Sequence, residues 1–96
     1  MEIEPELVLA LGMMPLHKSL QAAFTLESGS GQDPMNAIDV CKVTEDFIRA
    51  SENITGMPSK IKIFPKSQTF VVEASPLLIR SLLDHGQGIV RKAALV

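Results

Sequence analysis

The clearest alternation of apolar and polar positions lies in the second half of the chain, between residues 33 and 86. Asp33-Pro34 predicts a helix start, because aspartate accepts hydrogen bonds from free amides and proline at the first helical position has no amide to leave unpaired. We predict a helix from Pro34 to Ala50, stopped by Gly56 and Pro58. Its buried stripe is predicted to contain Ala37, Ile38, Cys41, Thr44, Phe47 and Ile48.

A β-hairpin and a second helix are predicted to follow. Lys60 to Phe64 alternate polar and apolar side chains with a period of two, Pro65 to Gln68 offer a turn, and Thr69 to Glu73 continue as the returning strand. Ser75-Pro76 repeats the signature of a capping residue followed by proline, and Gly86 is expected to end that helix.

The two ends of the chain carry weaker patterns. Ile3 to Leu11 mixes strand-like and helix-forming residues, and we predict a strand there although periodicity alone does not decide so short a run. Leu16 to Leu26 has the apolar spacing of a short amphipathic helix. The tail from Ile89 to Val96 is interpreted either as a frayed helix or as the start of an element that the chain does not complete.

Together these elements predict one α+β domain over all 96 residues, a length that supports one modest core. The expected order is β-α-α-β-β-α, with a short, partly antiparallel sheet covered by helices. We divide it into an N-terminal part (1–30), a central unit (31–86) and a tail (87–96). The longest uncharged apolar run, Leu7 to Leu16, is shorter than the roughly 20 residues that span a bilayer, so no membrane partner is expected.

The charged residues narrow the class of partner. The formal net charge is −2, which argues against a protein that neutralises many phosphates by itself. Several bases nevertheless lie in the C-terminal part, and four of them are predicted to form a basic rim that contacts RNA phosphates or an acidic partner: Lys60, Lys62, Lys66 and Arg80. The alternative is that these lysines protect an edge strand from pairing with other chains.

The sequence offers little from which to build a reaction centre. It has two histidines and one cysteine, without metal-ligand spacing, so we expect no catalytic residue, metal, cofactor or small-molecule substrate. Cys41 is interpreted as a core residue on its helix. His85 is explained as a base near a helix C-terminus. The glycine-serine stretch from Ser28 to Gln32 lacks the lysine of a phosphate-binding loop.

With these elements in place, the chain resembles the N-terminal domain of the large-subunit ribosomal protein eleven family, in its bacterial and organellar form. The match covers about Gly31 to Gly86. The residues that carry it are Gly31-Gln32, Cys41-Lys42, Gly56-Met57-Pro58, Lys60-Ile61, Pro65, Thr69-Phe70, Pro76 and Gly86. The spacing from Gly31 to Ile61 looks like that of the family with little or no gap.

The resemblance implies a structural, non-enzymatic role in translation at or near the base of the ribosomal stalk. Its implied partners are large-subunit rRNA, neighbouring ribosomal proteins and translational GTPases. Gly31 and Gln32 would end the family's factor-facing element, and Cys41, Phe70 and Pro76 would be packing positions. The family's Pro-Pro-x-Gly-Pro run is replaced here by residues 22–28, and we expect the chain to lack the family's C-terminal RNA-binding domain.

The first residues of the chain bear on the compartment. The acidic first residues fit neither a secretory nor a transit signal, so we expect an intracellular, ribosome-associated protein of the mitochondrion or the cytoplasm. The alternative function is a small adaptor that binds another protein through its hairpin edge or an apolar helix face. An enzyme would need a nucleophile, a base and an orienting group, none of which can be named here.

Overall fold

The computed structural model describes residues 1–15, 17–27 and 36–96, which form an α+β domain. The described strands are β1 (Glu2–Ile3), β2 (Leu20–Leu26), β3 (Ser59–Phe64), β4 (Thr69–Ala74) and β5 (Val90–Leu95). The described helices are α1 (Pro5–Met13), α2 (Ala37–Thr55) and α3 (Pro76–His85), and a short 3₁₀ turn, Pro65–Ser67, joins β3 to β4. The predicted α+β class with helices covering a partly antiparallel sheet is confirmed.

The five strands form one mixed sheet in the order β1-β5-β2-β4-β3. β1 runs parallel to β5, and the other neighbouring pairs are antiparallel. From β2 onward the elements follow the β-α-β-β-α-β order of the ferredoxin-like split βαβ motif. β1 and α1 extend this unit at its β5 edge, where the Glu4 amide donates to the Ala93 carbonyl at 2.9 Å.

The N-terminal predictions are wrong in both elements. Of the strand predicted from Ile3 to Leu11 only Ile3 is extended, as part of Glu2–Ile3, and Pro5–Met13 is helical. Leu7 and Leu11 explain this, because four residues of separation place both on one helix face, where both are buried. Within the described residues of the predicted Leu16 to Leu26 helix, Leu20–Leu26 is a strand, since its buried side chains recur every second residue.

Both interpretations of the tail, a frayed helix or the start of an uncompleted element, are wrong. Val90–Leu95 forms β5, which lies between β1 and β2 and places Ala93 in the core with no exposed surface. The predicted β-α-α-β-β-α order is therefore wrong, and the observed order is β-α-β-α-β-β-α-β. Residues 1–27 and 90–95 contribute strands to the same sheet as the hairpin, because the hairpin alone would leave one edge of β4 unpaired.

Helix α2 differs from its prediction at both ends. The Asp33-Pro34 start lies outside the described residues, and the observed cap is Asn36, whose side-chain oxygen accepts from the Asp39 amide at 2.8 Å. The helix continues to Thr55, five residues beyond Ala50, and ends at Gly56 in the left-handed conformation (φ 68°).

The predicted stripe of α2 is only partly correct. Thr44, Phe47 and Ile48 are buried, together with Val40 and Ser51, which the prediction omitted. Ile38 is 78% exposed and Cys41 is half-buried. The stripe is shifted around the helix because α2 packs against α3 as well as the sheet. The Ser59 amide and hydroxyl both donate to a Glu52 carboxylate oxygen at 3.0 Å, which ties the start of β3 to the end of α2.

The hairpin and the last helix are confirmed. β3, the Pro65–Ser67 turn and β4 lie where the alternation placed them. The Ser75 side chain accepts from the Leu77 amide at 3.3 Å, Pro76 occupies the first turn, and α3 ends at Gly86. No helix in the described part of the chain is long and apolar enough to cross a membrane.

The core lies between the helices and one face of the sheet. Phe24 of β2 and Phe70 of β4 are direct partners in the strand register, and their rings stack with centroids 5.1 Å apart. Phe47 of α2 meets the Phe70 ring edge-on at 6.4 Å. This aromatic cluster joins β2 and β4 to the longest described helix.

A hydroxyl on α2 gives a stability prediction. Thr44 Oγ1 is buried and has no hydrogen-bond partner, so Thr44→Val, which keeps the shape and removes the polar atom, should raise the free energy of unfolding by about 1 kcal/mol. Thr55→Val is the matched control on the same helix, because the Thr55 hydroxyl donates to Ser51 O and accepts from Met57 N. It should lower stability by about the same amount. Urea unfolding measures both, and equal signs would contradict this account.

Candidate functional site

One face of the sheet carries no helix in the described part of the chain, and we call it the open face. The pleat points alternate side chains of each strand to opposite sides, and the register places the following residues together on the open face: Gln21, Ala23 and Thr25 of β2, Thr69, Val71 and Glu73 of β4, Lys60, Lys62 and Phe64 of β3, and Lys92 and Ala94 of β5. These side chains are half-buried or exposed, whereas those on the helix side of β2 and β4 are buried. The open face is therefore a surface that the described helices leave available to a partner.

Two of the predicted rim lysines lie on this face. Lys60 stands opposite Glu73 and Lys62 opposite Val71 in the β3–β4 register, and both lysine side chains are exposed. They border a shallow groove of about 280 Å³ that is lined by Gln21, Lys60, Ile61, Lys62, Val71 and Glu73. The groove offers two ammonium groups and one carboxylate to a ligand.

Phe64 is an exposed aromatic residue beside these lysines. Its side chain is 42% exposed, and Lys62 Nζ lies 5.6 Å from the centroid of its ring. A cation over an aromatic face at an exposed site contributes about 0.5–1 kcal/mol. Lys62 therefore makes a weak stabilising contact with the ring at the end of β3, and the ring stays partly exposed.

Lys66 lies in the turn after Phe64. It shares a pocket with Arg91, a base that was not among the four predicted rim residues. Thr25 pairs with Lys92 and Leu26 with Val90, so Arg91 is an extra residue that forms a β-bulge in β5. Lys66 and Arg91 line a small pocket of about 110 Å³ together with Thr25, Leu26, Ser67 and Gln68. The only signal for Arg91 in the sequence is its place among the C-terminal bases.

The structure does not bring Arg80 to the lysines. Arg80 lies on α3, on the helix side of the sheet, and its Nη2 donates to the Leu11 carbonyl at 3.5 Å near the C-terminal end of α1. A cation at that position is favoured by the helix dipole. The predicted rim is thus two surfaces: Lys60, Lys62 and Lys66 along the hairpin, and Arg80 between two helices.

Several other predicted positions are placed by the fold. Gly31 and Gln32 lie outside the described residues, as does the Ser28 to Gln32 loop. Phe70 is fully buried, and Pro76 occupies the first turn of α3. His85 Nδ1 lies 2.9 Å from the Ser81 carbonyl, within the last turn of α3. These residues serve packing and helix geometry in the described structure.

Two further cavities are present, of which the first adjoins the open face at Lys60 and Glu73. One, of about 350 Å³, includes His17, Lys18 and Lys60 beside the start of α3. The other, of about 380 Å³, is an apolar groove along α2 that includes Phe47, Ile54 and Ile89. In the described ranges no group of three or more histidine, cysteine, aspartate or glutamate side chains is arranged to hold a metal ion.

Gly86 closes α3 at a position with no room for a side chain. An added Cβ would lie 2.7 Å from the Leu82 carbonyl oxygen and 2.8 Å from Met1 Cε. Gly86→Ala should therefore lower the free energy of unfolding by about 1–3 kcal/mol. Gly12→Ala is the matched control, because nothing lies within 4 Å of its added Cβ, and it should raise stability by about 0.5 kcal/mol. Thermal unfolding that shows Gly86→Ala to be neutral would contradict the close approach.

Comparison with known proteins adds no relative to this picture. The chain matches no protein-family model, no curated protein and no solved structure. The features that bear on its function are therefore the open face, the placement of its bases and the residues that carry the resemblance.

Proposed function

We propose that this chain is a structural constituent of the large ribosomal subunit, at or near the stalk base, and that it supports translation without catalysis. The observation that carries this proposal is the row of lysines along the hairpin, exposed on a sheet face that no described helix covers. Lysines fixed on a rigid strand position a protein on nucleic-acid phosphates.

The resemblance supplies the second support. The described part of the matched span contains one helix, a hairpin and a second helix in the expected order. Gly56 takes the left-handed conformation that ends α2, Phe70 lies in the core, and Pro76 begins α3. These three of the residues that carry the resemblance thus hold positions where the fold needs that residue type.

The charge distribution suits a component that binds within a larger particle. The net charge is −2, so affinity for RNA depends on local placement rather than on total charge. Residues 59–74 contain three lysines and one glutamate. Rim contacts of this kind add to contacts with neighbouring ribosomal proteins, for which the apolar groove on α2 is available. The proposal includes contact with translational GTPases. It places the protein on ribosomes of the mitochondrion or the cytoplasm.

One observation favours a second candidate, a protein-interaction adaptor. β3 is the last strand of the sheet and is paired only with β4, and it exposes 37% of Ile61 and 42% of Phe64. An edge strand with exposed apolar side chains can add a strand from another protein. Lys60 and Lys62 oppose this, because charged edge residues discourage such pairing.

Association with ribosomes tests the proposal. The tagged protein should co-sediment with large ribosomal subunits at moderate salt, and Lys60→Gln and Lys62→Gln should each reduce the slope of log affinity against log salt by about one unit. Lys42→Gln on α2 and Arg80→Gln on α3 are the controls, since both bases lie on helices rather than on the open face, and their slopes should not change.

Two results would contradict the proposal. Absence of co-sedimentation would remove the ribosomal role. A soluble complex with a single protein and no rRNA, broken by Ile61→Lys on the edge strand, would establish the adaptor in its place.

A further inference from the structure

We propose that β3 and the turn after it bind a single-stranded segment of RNA, with one base stacked on Phe64 and phosphates held by the flanking lysines. This inference rests on the proposed function, which brings RNA to the open face. It assigns to Phe64 a recognition role that the net charge and the lysines alone do not require.

The position of the ring is the first argument. Phe64 belongs to the outermost strand and lies on the open face, opposite Thr69. The ring of Phe64 is 42% exposed and is not part of the buried aromatic cluster, so it does not contribute to the core. An exposed aromatic face beside cations is the arrangement that stacks nucleic-acid bases.

The lysines around the ring are the second argument. Lys60 and Lys62 point to the same side of β3, about 7 Å apart along the strand, which is close to the separation of successive phosphates in an extended nucleic-acid strand. Lys66 follows Phe64 at the turn, where Arg91 shares its pocket. Cations thus lie on both sides of the ring along the chain, as a strand with alternating phosphates and bases requires.

The contact between Lys62 and Phe64 shows how the site is kept ready. In the free protein the ammonium group lies over the ring. Stacking of a base on an aromatic side chain is stronger than an exposed cation–π contact. The incoming base therefore displaces the Lys62 ammonium, which is free to move to a phosphate.

The rest of the open face indicates the path of the strand. The familiar RNA-binding sheet stacks bases on aromatic residues of its strands, but the open-face residues of the inner strands here are Gln21, Ala23, Thr25, Thr69, Val71, Glu73, Lys92 and Ala94. None of them offers a ring. The RNA is therefore expected to run along the β3 edge rather than across the centre of the sheet.

Single-stranded rather than duplex RNA fits this edge. A duplex presents phosphates to the lysines but keeps its bases stacked inside, so it would leave Phe64 without a ligand. An acidic peptide would likewise use the lysines without needing the ring. Dependence of the binding affinity on the Phe64 ring therefore separates single-stranded RNA from duplex RNA and from an acidic peptide.

The test uses tryptophan as a reporter. The chain has no tryptophan, so Phe64→Trp introduces one fluorophore at the proposed site. Titration with short oligouridine should quench its emission, and fluorescence anisotropy with labelled oligouridine should show affinity equal to or higher than that of the wild type. Phe64→Leu should bind about tenfold more weakly, and Lys62→Gln should lower the salt slope by about 0.7.

Matched controls separate stacking from folding and from charge. Ile38→Ala removes an exposed apolar side chain from α2, and Lys42→Gln removes an exposed base from the same helix. Both should leave oligouridine affinity unchanged. Circular dichroism and thermal unfolding establish that Phe64→Leu and Phe64→Trp remain folded before binding is compared.

The outcomes distinguish this inference from the proposed function. Wild-type affinity in Phe64→Leu without quenching in Phe64→Trp overturns the inference, while co-sedimentation with large subunits would still support the proposed function. Equal binding of a duplex RNA, or equal quenching by polyglutamate, also overturns it. Quenching by oligouridine in a protein that does not co-sediment supports RNA binding and overturns the ribosomal assignment.

Discussion

The stacking of Phe24 on Phe70 is the contact on which the rest of the structure depends. It joins β2 and β4 at a fixed register, and Phe47 of α2 meets the Phe70 ring edge-on. Phe24 and Phe70 have no exposed surface, and removing such a ring from a core typically costs about 3–5 kcal/mol. A shift of one residue between β2 and β4 would place the two rings on opposite faces of the sheet. The cluster therefore fixes which side of the sheet is inside.

That choice also decides which side chains reach a partner. With Ile63 opposite Phe70 on the helix side, the pleat sends Lys60, Lys62 and Phe64 to the open face. β3 thus completes the core with one set of alternate side chains and presents cations and a ring with the other set. The open face is thus held in place because the hydrophobic core fixes the backbone beneath it.

The ends of the chain complete this arrangement. β5 enters the sheet beside β2, and β1 covers the far edge of β5 with a short parallel pair. Lys92 forms an ion pair with Glu4 at 3.3 Å, an exposed contact of about 1 kcal/mol or less, so Lys92 is the least free of the open-face lysines. The bulge at Arg91 moves that base toward Lys66. β3 remains as the longest unpaired edge in the described sheet.

The sequence by itself determined the hairpin and α3, because a period of two and the Ser75-Pro76 cap are local signals that neighbouring residues complete. It also identified the lysines, but not their grouping. Only the tertiary structure made Pro5–Met13 a helix, Leu20–Leu26 a strand and Val90–Leu95 an inner strand, since short apolar runs take the conformation that buries them and their partners lie far away in sequence. It alone separated Arg80 from the hairpin lysines and joined Lys66 to Arg91, because strand order and a bulge are long-range properties that no local pattern encodes.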